Sequence, residues 1–483
     1  MIQLLLNSSP IKTAYDIAKK NHRELFLVGG VLRDLYLKGI ISEDIDFLVE
    51  RDVESIAGQF AQSQCGTFFC LDDTRGNYRA IIQDNDTYHT VDFSPLLEGK
   101  IMPDLVNRDF TINSLALRLS DLFEKRELTF IDPTSGLDDL QRRLIRVCSP
   151  NAFEDDPVRL LRAVRFAQQC HLTIEPVTER LIREMKERLL TCSWERIRND
   201  FFMILSHPGT SAALTHLDSL ELLSILLPEI DGMKGMEQGT HHAYTLFEHA
   251  LQTVHFTEMI LLNPERFFPR HKDVLQSHFA HAIEGAIPKR ALAIFIALLH
   301  DIGKPSTCLK HDGEIHFYGH ERAGMETACR IARRFKLAKR TVTIVQKTIQ
   351  HHMRPLHLQL LQRVTDRARY RLIRDSEGAV LYTLILGLAD AMATSDGSTA
   401  DPQLVPLYTV IADLLDFYCS DRPKKGEAAL LSGNEIMDAL KLKPGKKVGE
   451  VIEKIREAER NGLISTKEEA LKLITENRSA IDF

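Results

Sequence analysis

Short apolar runs alternate with turns from residue 25 onward. Leu25 to Val28 predicts a buried strand, Gly29-Gly30 a turn, and Val31 to Lys38 a helix; Ile45, Phe47, Leu48 and Val49 then suit a second strand. The alternating YHTVDFS at 88–94 predicts another strand. From about 150 to 230 the spacing turns helical, in RLLRAVRFAQQ and ERLIREMKERLL, and Ser193 is placed to cap a helix carrying the single tryptophan, Trp194, expected to pack. Segments between 240 and 400 again read as helices, and RALAIFIALLHD, 290–301, is apolar enough to be buried. After 402, Pro402, Pro406 and the basic RPKK at 422–425 mark a looser joint, followed by short helices separated by Pro-Gly and Asn-Gly turns. No internal repeat is evident.

At 483 residues the chain should hold several domains, because single cores seldom grow past about 250–300 residues. Its 44% hydrophobic and 27% charged residues fit a folded soluble protein. No apolar run nears the roughly 20 residues that span a bilayer, and the N-terminus lacks a signal pattern, so a cytoplasmic protein without membrane contact is expected. The eight cysteines form no CxxC pair, so neither a zinc ribbon nor a disulfide framework is indicated. A net charge of −6 means that any RNA contact has to use local basic surface. Arg330, Arg333, Arg334, Lys336, Lys339 and Arg340 form one such cluster, and Lys441, Lys443, Lys446 and Lys447 another, although charge runs are more often solvated helix faces. Oligomeric state is not legible.

Chemistry concentrates in LFLVGGVLRDLYLKGIISEDIDFLVE, 25–50. Residues two apart on a strand share a face, so Asp44 and Asp46 aim together. Such a pair is unfavourable without a cation between the charges, and hard oxygen ligands suit Mg²⁺. A glycine turn feeding a helix offers backbone N–H groups to phosphate. Together these features describe metal-assisted phosphoryl or nucleotidyl transfer.

The order GGxxRD, a short gap, then DxDF resembles the head of the polymerase-β-like nucleotidyltransferases, in particular the class II tRNA nucleotidyltransferase and bacterial poly(A) polymerase family. Three more segments resemble that family's motifs: DLVNRDFTINSLAL (104–117, with Asn107 where the family has arginine), IDPTSGLDDLQRRLIR (131–146) and FEDDPVRLLRAVRF (153–166). The resemblance implies Mg²⁺ on Asp44 and Asp46, with Asp92 as a candidate third carboxylate. It implies phosphate or ribose contacts from Gly29, Gly30 and Arg33, with Asp34, Arg108, Asp109 and Asn113 in the nucleotide site. Asp156 and Arg159 would read the Watson–Crick edge of the incoming base. If all four motif residues share one helix, steps of three turn about 60° each, leaving Arg162 and Arg165 to phosphates or structural ion pairs.

A second constellation supplies His249, His300-Asp301, His320, His351 or His352, and Asp390. Imidazoles and carboxylates on several helices can converge on one or two divalent metals. Their order resembles the HD phosphohydrolase superfamily, which implies a second metal site, its metal unidentified, able to hydrolyse phosphoesters.

The expected fold is α+β: a polymerase-β-like head with a mixed sheet (1–148), then an all-α neck (149–235), HD domain (236–401) and tail (402–483). The expected function is template-independent addition of CMP or AMP, from CTP or ATP, to the 3′-hydroxyl of the tRNA acceptor arm. The enzyme would be CCA-adding, A-adding or CC-adding, a difference resting on loop geometry between the DxD and NRDF segments. Its rivals are a bacterial poly(A) polymerase and an HD phosphohydrolase whose head only grips nucleotide or RNA.

Overall fold

A computed structural model describes residues 1–84, 87–239, 244–311, 314–394, 402–421, 430–460, 463–464 and 466–476. The basic stretch at 422–425 and the Asn-Gly turn at 461–462 lie outside the described residues. The chain divides into two compact units, residues 1–231 with 334–336, and residues 232–333 with 337–483.

A seven-stranded mixed sheet builds the first part of unit one. Its strands are β1 (Leu25–Val28), β2 (Asp44–Val49), β3 (Thr67–Asp72), β4 (Asn77–Asp84), β5 (Thr87–Pro95), β6 (Ala116–Arg118) and β7 (Phe130–Ile131), in the order β3-β4-β5-β2-β1-β6-β7. β2 pairs antiparallel with β1 and parallel with β5; the other pairs are antiparallel. Alternation then sorts the residues by face. One face is aromatic: Phe47 and Phe93 stack at 5.3 Å, and Phe60 of the helix Val53–Ser63 closes on Phe93 at 5.3 Å. On the other face Phe26, Val28 and Leu48 pack with Ala116 and with Leu105 from the short helix Ile101–Val106. That cover reaches only one end of the face, leaving the start of β2 and the neighbouring parts of β5, β4 and β3 open.

Helices follow, among them Ala152–Asp155, Arg159–Cys170 and Trp194–Ser206. Asp156 does not share a helix with Arg159, Arg162 and Arg165, which corrects the single-helix expectation. It has an extended backbone (φ −151°, ψ 96°) in the break before Arg159, because Pro157 disfavours helical geometry at the residue before it. The Ser193 side chain accepts from the Arg196 N–H and caps its helix. Trp194 packs edge-on to Phe335 with centroids 5.2 Å apart. Arg334, from the basic cluster, lies over the Trp194 ring and donates to both carboxylate oxygens of Glu229 (2.9 and 2.8 Å), so structure claims it first.

In unit two, the helix Leu246–Leu262 packs against Lys289–Leu299 and Val380–Thr394, and the helices His320–Arg334 and Lys339–His351 complete the surroundings of the histidines. Every residue from Ala291 to Leu299 is buried. This helical region also carries two short ribbons, Ala282–Glu284 with Ile287–Pro288 and Leu309–His311 with Glu314–His316. The tail helices Gly433–Leu440, Lys446–Arg460 and Lys467–Glu476 share a small core around Ile436, Val451, Ile455 and Ile474. Among the described residues no single helix is long and apolar enough to cross a membrane.

Because Phe93 is fully buried between Phe47 and Phe60, Phe93→Ala should destabilise the sheet by about 3–5 kcal/mol. Urea denaturation followed by circular dichroism should show the lowered midpoint.

Candidate functional site

The register of the sheet assembles the first site. β2 and β5 run parallel with Asp44 beside Thr90 and Asp46 beside Asp92, so all three carboxylates stand on the open face. β1 places Val28 opposite Asp46, and the chain turns at Gly29 directly over that carboxylate. Gly29 sits at φ +77°, and a Cβ there would lie 2.8 Å from Arg108 Nη1 and 3.2 Å from Asp46 Oδ2, so glycine is required twice over. The Asp46 carboxyl is pushed up to about 6, chiefly by burial and further by the Asp92 and Asp44 charges, against the pull of Arg108. A cation would relieve that unfavourable charge, and an all-carboxylate donor set suits a hard divalent ion.

Behind the turn runs a buried polar chain. Arg33 donates to both oxygens of Asp34 (3.1 and 3.2 Å) and to Asn113 Oδ1 (2.7 Å). Asn113 Nδ2 donates to Asp109 (3.0 Å), and Arg162 donates twice to the other Asp109 oxygen (2.8 and 2.6 Å). The guanidinium groups of Arg33, Arg162 and Arg165 all lie against the Phe166 ring, and Arg165 pairs with Asp200 at 2.5 Å. Arg33, Asp34, Asp109 and Asn113, all buried, thus form one network with the half-buried Arg162.

Arg108 stays at the open edge, bonded to Asp104 (3.2 Å) and to the Asn113 carbonyl (3.4 Å). Arg159 donates to the carbonyls of Asn107 (3.0 Å), Arg108 (3.5 Å) and Ala152 (3.3 Å), while Asp156 accepts from Arg196 at 2.7 Å. Asp156 and Arg159 therefore have separate anchors. The Arg159 contact at position 107 uses the backbone carbonyl, so it does not depend on whether asparagine or arginine stands there.

Two participants had no local signal. Arg79 stands opposite Asp92 across the β4–β5 pair and donates to both its oxygens at 2.8 Å. Counting back from the pairing of Asp84 with Thr87 would have found it. Arg196 lies forty residues from Asp156, beyond any motif.

In unit two the histidines converge. Ligand atoms of His249, His300, Asp301 and Asp390 lie within 4.8 Å of one another, as do those of Asp301, His320 and His352, so Asp301 belongs to both groups. His351 stands outside both groups, and its imidazole is pushed down, first by burial and then by Arg354.

The imidazoles are pre-set. Nδ1–H of His300, His320 and His352 donates to the carbonyl three residues back, at 2.8, 2.9 and 2.7 Å. The Nε2 atoms of His320 and His352 are thereby left buried without a hydrogen-bond partner, as suits a ligand nitrogen, and Nε2 of His300 is turned to Asp301 at 3.1 Å. His249 Nε2 lies 2.9 Å from Asp390. Burial opposes the charged forms here, but Asp301 and Asp390 push the His300 imidazolium up to about 10, while the His300 and Lys304 charges hold Asp301 well below the usual carboxylate range. Lys304, absent from the sequence reading, reaches Asp301 at 2.6 Å. Orphaned imidazole nitrogens around a shared carboxylate fit one or two divalent ions.

Glycine makes this convergence possible. A Cβ on Gly303 would meet the His320 carbonyl at 2.2 Å and the Gly324 nitrogen at 2.3 Å, and one on Gly387 would lie 3.2 Å from the His352 carbonyl. The His-Asp turn therefore rests directly on the first turn of the His320 helix.

Comparison with known proteins now bears on both sites. Residues 25–146 match the poly A polymerase head domain, 171–233 the probable RNA and SrmB-binding site of polymerase A, and 246–395 the HD domain. An A-adding tRNA nucleotidyltransferase of Deinococcus radiodurans is 32% identical, over 92% of this chain and 93% of that protein. The chain belongs to the tRNA nucleotidyltransferase and poly(A) polymerase family. A CC-adding tRNA nucleotidyltransferase of Geobacter sulfurreducens is 28% identical over 94% of this chain and 92% of its own length. Among solved structures, a CCA-adding enzyme with ATP superposes with a TM-score of 0.62 at 21% identity, covering 99% of this chain and 96% of that one. A Thermotoga maritima CCA-adding enzyme complexed with tRNA gives 0.57 at 20% identity, over 99% and 98%. The α+β head followed by helical regions is the fold of these tRNA nucleotidyltransferases, and divalent metal use is typical of both its head and its HD domain.

Gly303→Ala should displace His320 and weaken divalent-ion binding in unit two by about 10-fold or more. Calorimetric titration with Mn²⁺ or Ni²⁺ checks this.

Proposed function

We propose that this chain adds C, A or both to the 3′ end of tRNA from CTP and ATP, releasing pyrophosphate, at the open face of its sheet. The observation that carries the reading is the row of Asp44, Asp46 and Asp92 beside the Gly29 turn. Nucleotidyl transfer asks mainly for in-line positioning and charge neutralisation, and the residues are suited to both. Asp44 and Asp46 would hold Mg²⁺, which supplies acidity toward the attacking hydroxyl and neutralises triphosphate charge. Arg108, at the mouth beside Gly29, presents a guanidinium to phosphate oxygens. Asp92, clamped by Arg79, fixes the negative field next to Asp46. Asp156 and Arg159, each on its own anchor, are the proposed readers of the incoming base, whose edge a carboxylate and a guanidinium complement. Arg33, Asp34, Asp109, Asn113 and Arg162 hold this frame from behind.

In unit two, His249, His300, Asp301, His320, His352 and Asp390 would hold one or two divalent ions, which supply Lewis acidity toward a phosphoester and toward water. Phosphoester hydrolysis is the proposed activity there. The names of the relatives, which add A or CC to tRNA, support the first reading, and the match to the HD domain supports the second.

The test uses tRNA transcripts ending at the discriminator base, at C and at CC, with labelled CTP, ATP or both. Incorporation of at most three nucleotides is expected. Long A tails on unrelated RNA would replace the reading with poly(A) polymerase, and no incorporation on any substrate would overturn it. Asp46→Ala should lower kcat about 10³-fold or more, the loss expected for several kcal/mol of charge stabilisation. Asp301→Ala should abolish hydrolysis of a phosphodiester such as bis-p-nitrophenyl phosphate while leaving incorporation in place.

A further inference from the structure

The open face extends well beyond the three carboxylates. Register carries one row outward from Asp46 to Asp92 on β5, Arg79 on β4 and Phe69 on β3, and a second from Asp44 to Thr90, Ile81 and Thr67. Gln83 pairs with Tyr88, placing Tyr88 on this face two residues before Thr90. Phe69, Ile81 and Tyr88 therefore form a diagonal band across β3, β4 and β5, on the same face as the carboxylates. The three side chains are 45%, 37% and 64% exposed. On the opposite face of β4 and β5, Ala80, Ile82 and Val91 are covered, so on these two strands the exposure follows the face; the edge strand β3 is exposed on both faces.

Strand spacing sets the distances. Tyr88 lies about 8 Å from Asp44, one strand across and two residues along, and Phe69 about 14 Å from Asp46, three strands across. The attacking 3′-hydroxyl must meet the carboxylates, so the last nucleotides of the acceptor strand have to lie within this radius. Apolar side chains, two of them aromatic rings, beside a charged row match the two parts of a nucleotide. Bases stack on aromatic rings whatever their identity, which suits an acceptor whose terminal base changes with each addition.

We infer that Phe69, Ile81 and Tyr88 are the platform on which the terminal bases of the acceptor strand rest while the 3′-hydroxyl meets Asp44 and Asp46. They are positioning residues for the RNA, and the inference rests on the proposed addition to tRNA 3′ ends.

Steady-state incorporation with Phe69→Ala, Ile81→Ala and Tyr88→Ala tests it, using a tRNA transcript as acceptor and CTP or ATP as donor. Each aromatic-to-alanine change should raise the KM for tRNA about 5- to 100-fold, from the loss of base stacking, and leave the KM for the nucleotide in place. Ile81→Ala should act in the same direction by a smaller factor, and Phe69→Tyr should restore the wild-type KM. A wild type that incorporates normally, with the KM for tRNA unmoved in all three alanine variants, overturns the platform and leaves the proposed function standing. A wild type that extends no tRNA overturns the function on which it rests. An oligomer in sizing experiments that dissociates in the alanine variants, with the KM for tRNA unmoved, assigns the band to a second copy of the chain and also overturns the platform.

Discussion

Asp109 is the fixed point of the first unit. Buried, it accepts from Arg162, from Asn113 and from the Phe110 N–H, and these partners hold its carboxyl ionised where burial alone would favour the neutral form. A buried carboxylate so fully bonded is rigid, because losing any partner strands a charge in a poor solvent. Through Asn113 it orients Arg33, and through Arg33 it engages Asp34 on the helix that follows the glycine turn. Through Arg162 it ties the segment after β5 to the helix Arg159–Cys170. The carboxylates of the open face take their positions from the register of β2 and β5, and this network braces the helix that follows the glycine turn beside them.

The first site was legible because its signals are local. Two carboxylates two residues apart, a glycine pair with an Arg-Asp after it, and alternation along YHTVDFS each depend on a few neighbours in sequence. What was not legible depends on register. Asp92 was legible as a candidate third carboxylate, but its place beside Asp46 follows from the parallel alignment of β2 and β5, and Arg79, which was not legible, reaches Asp92 because β4 lies next. Asp156 left its expected helix for a local reason that could have been read, the proline that follows it. Arg33 and Asp34 carry motif positions, yet their side chains turn inward, and no spacing rule separates a motif residue that touches ligand from one that braces the site.

The histidine cluster was legible to the level of residue type and chain order, and the choice between His351 and His352 required the helix ending. His352 closes the helix Lys339–His351 and rotates inward beside Asp301, while its neighbour turns toward Arg354. Gly303, Gly324 and Gly387 let backbone rest on backbone where the His300–Asp301 turn meets the His320 helix and where the Asp390 helix meets His352.

The outer strand of the sheet carries a further consequence. β3 is one of the two edge strands, and from Thr67 to Leu71 it presents Phe68, Phe69 and Leu71 to solvent without a charge or a proline. Folded proteins usually blunt such edges with lysine, proline or a covering loop, because an apolar edge is a template for pairing with another chain. Retaining it leaves the main-chain groups along that edge available for pairing with a further strand. Cys70 is exposed and pairs with Tyr78, on the face turned away from the carboxylates, so a lysine there would blunt the edge and leave Phe69 in place.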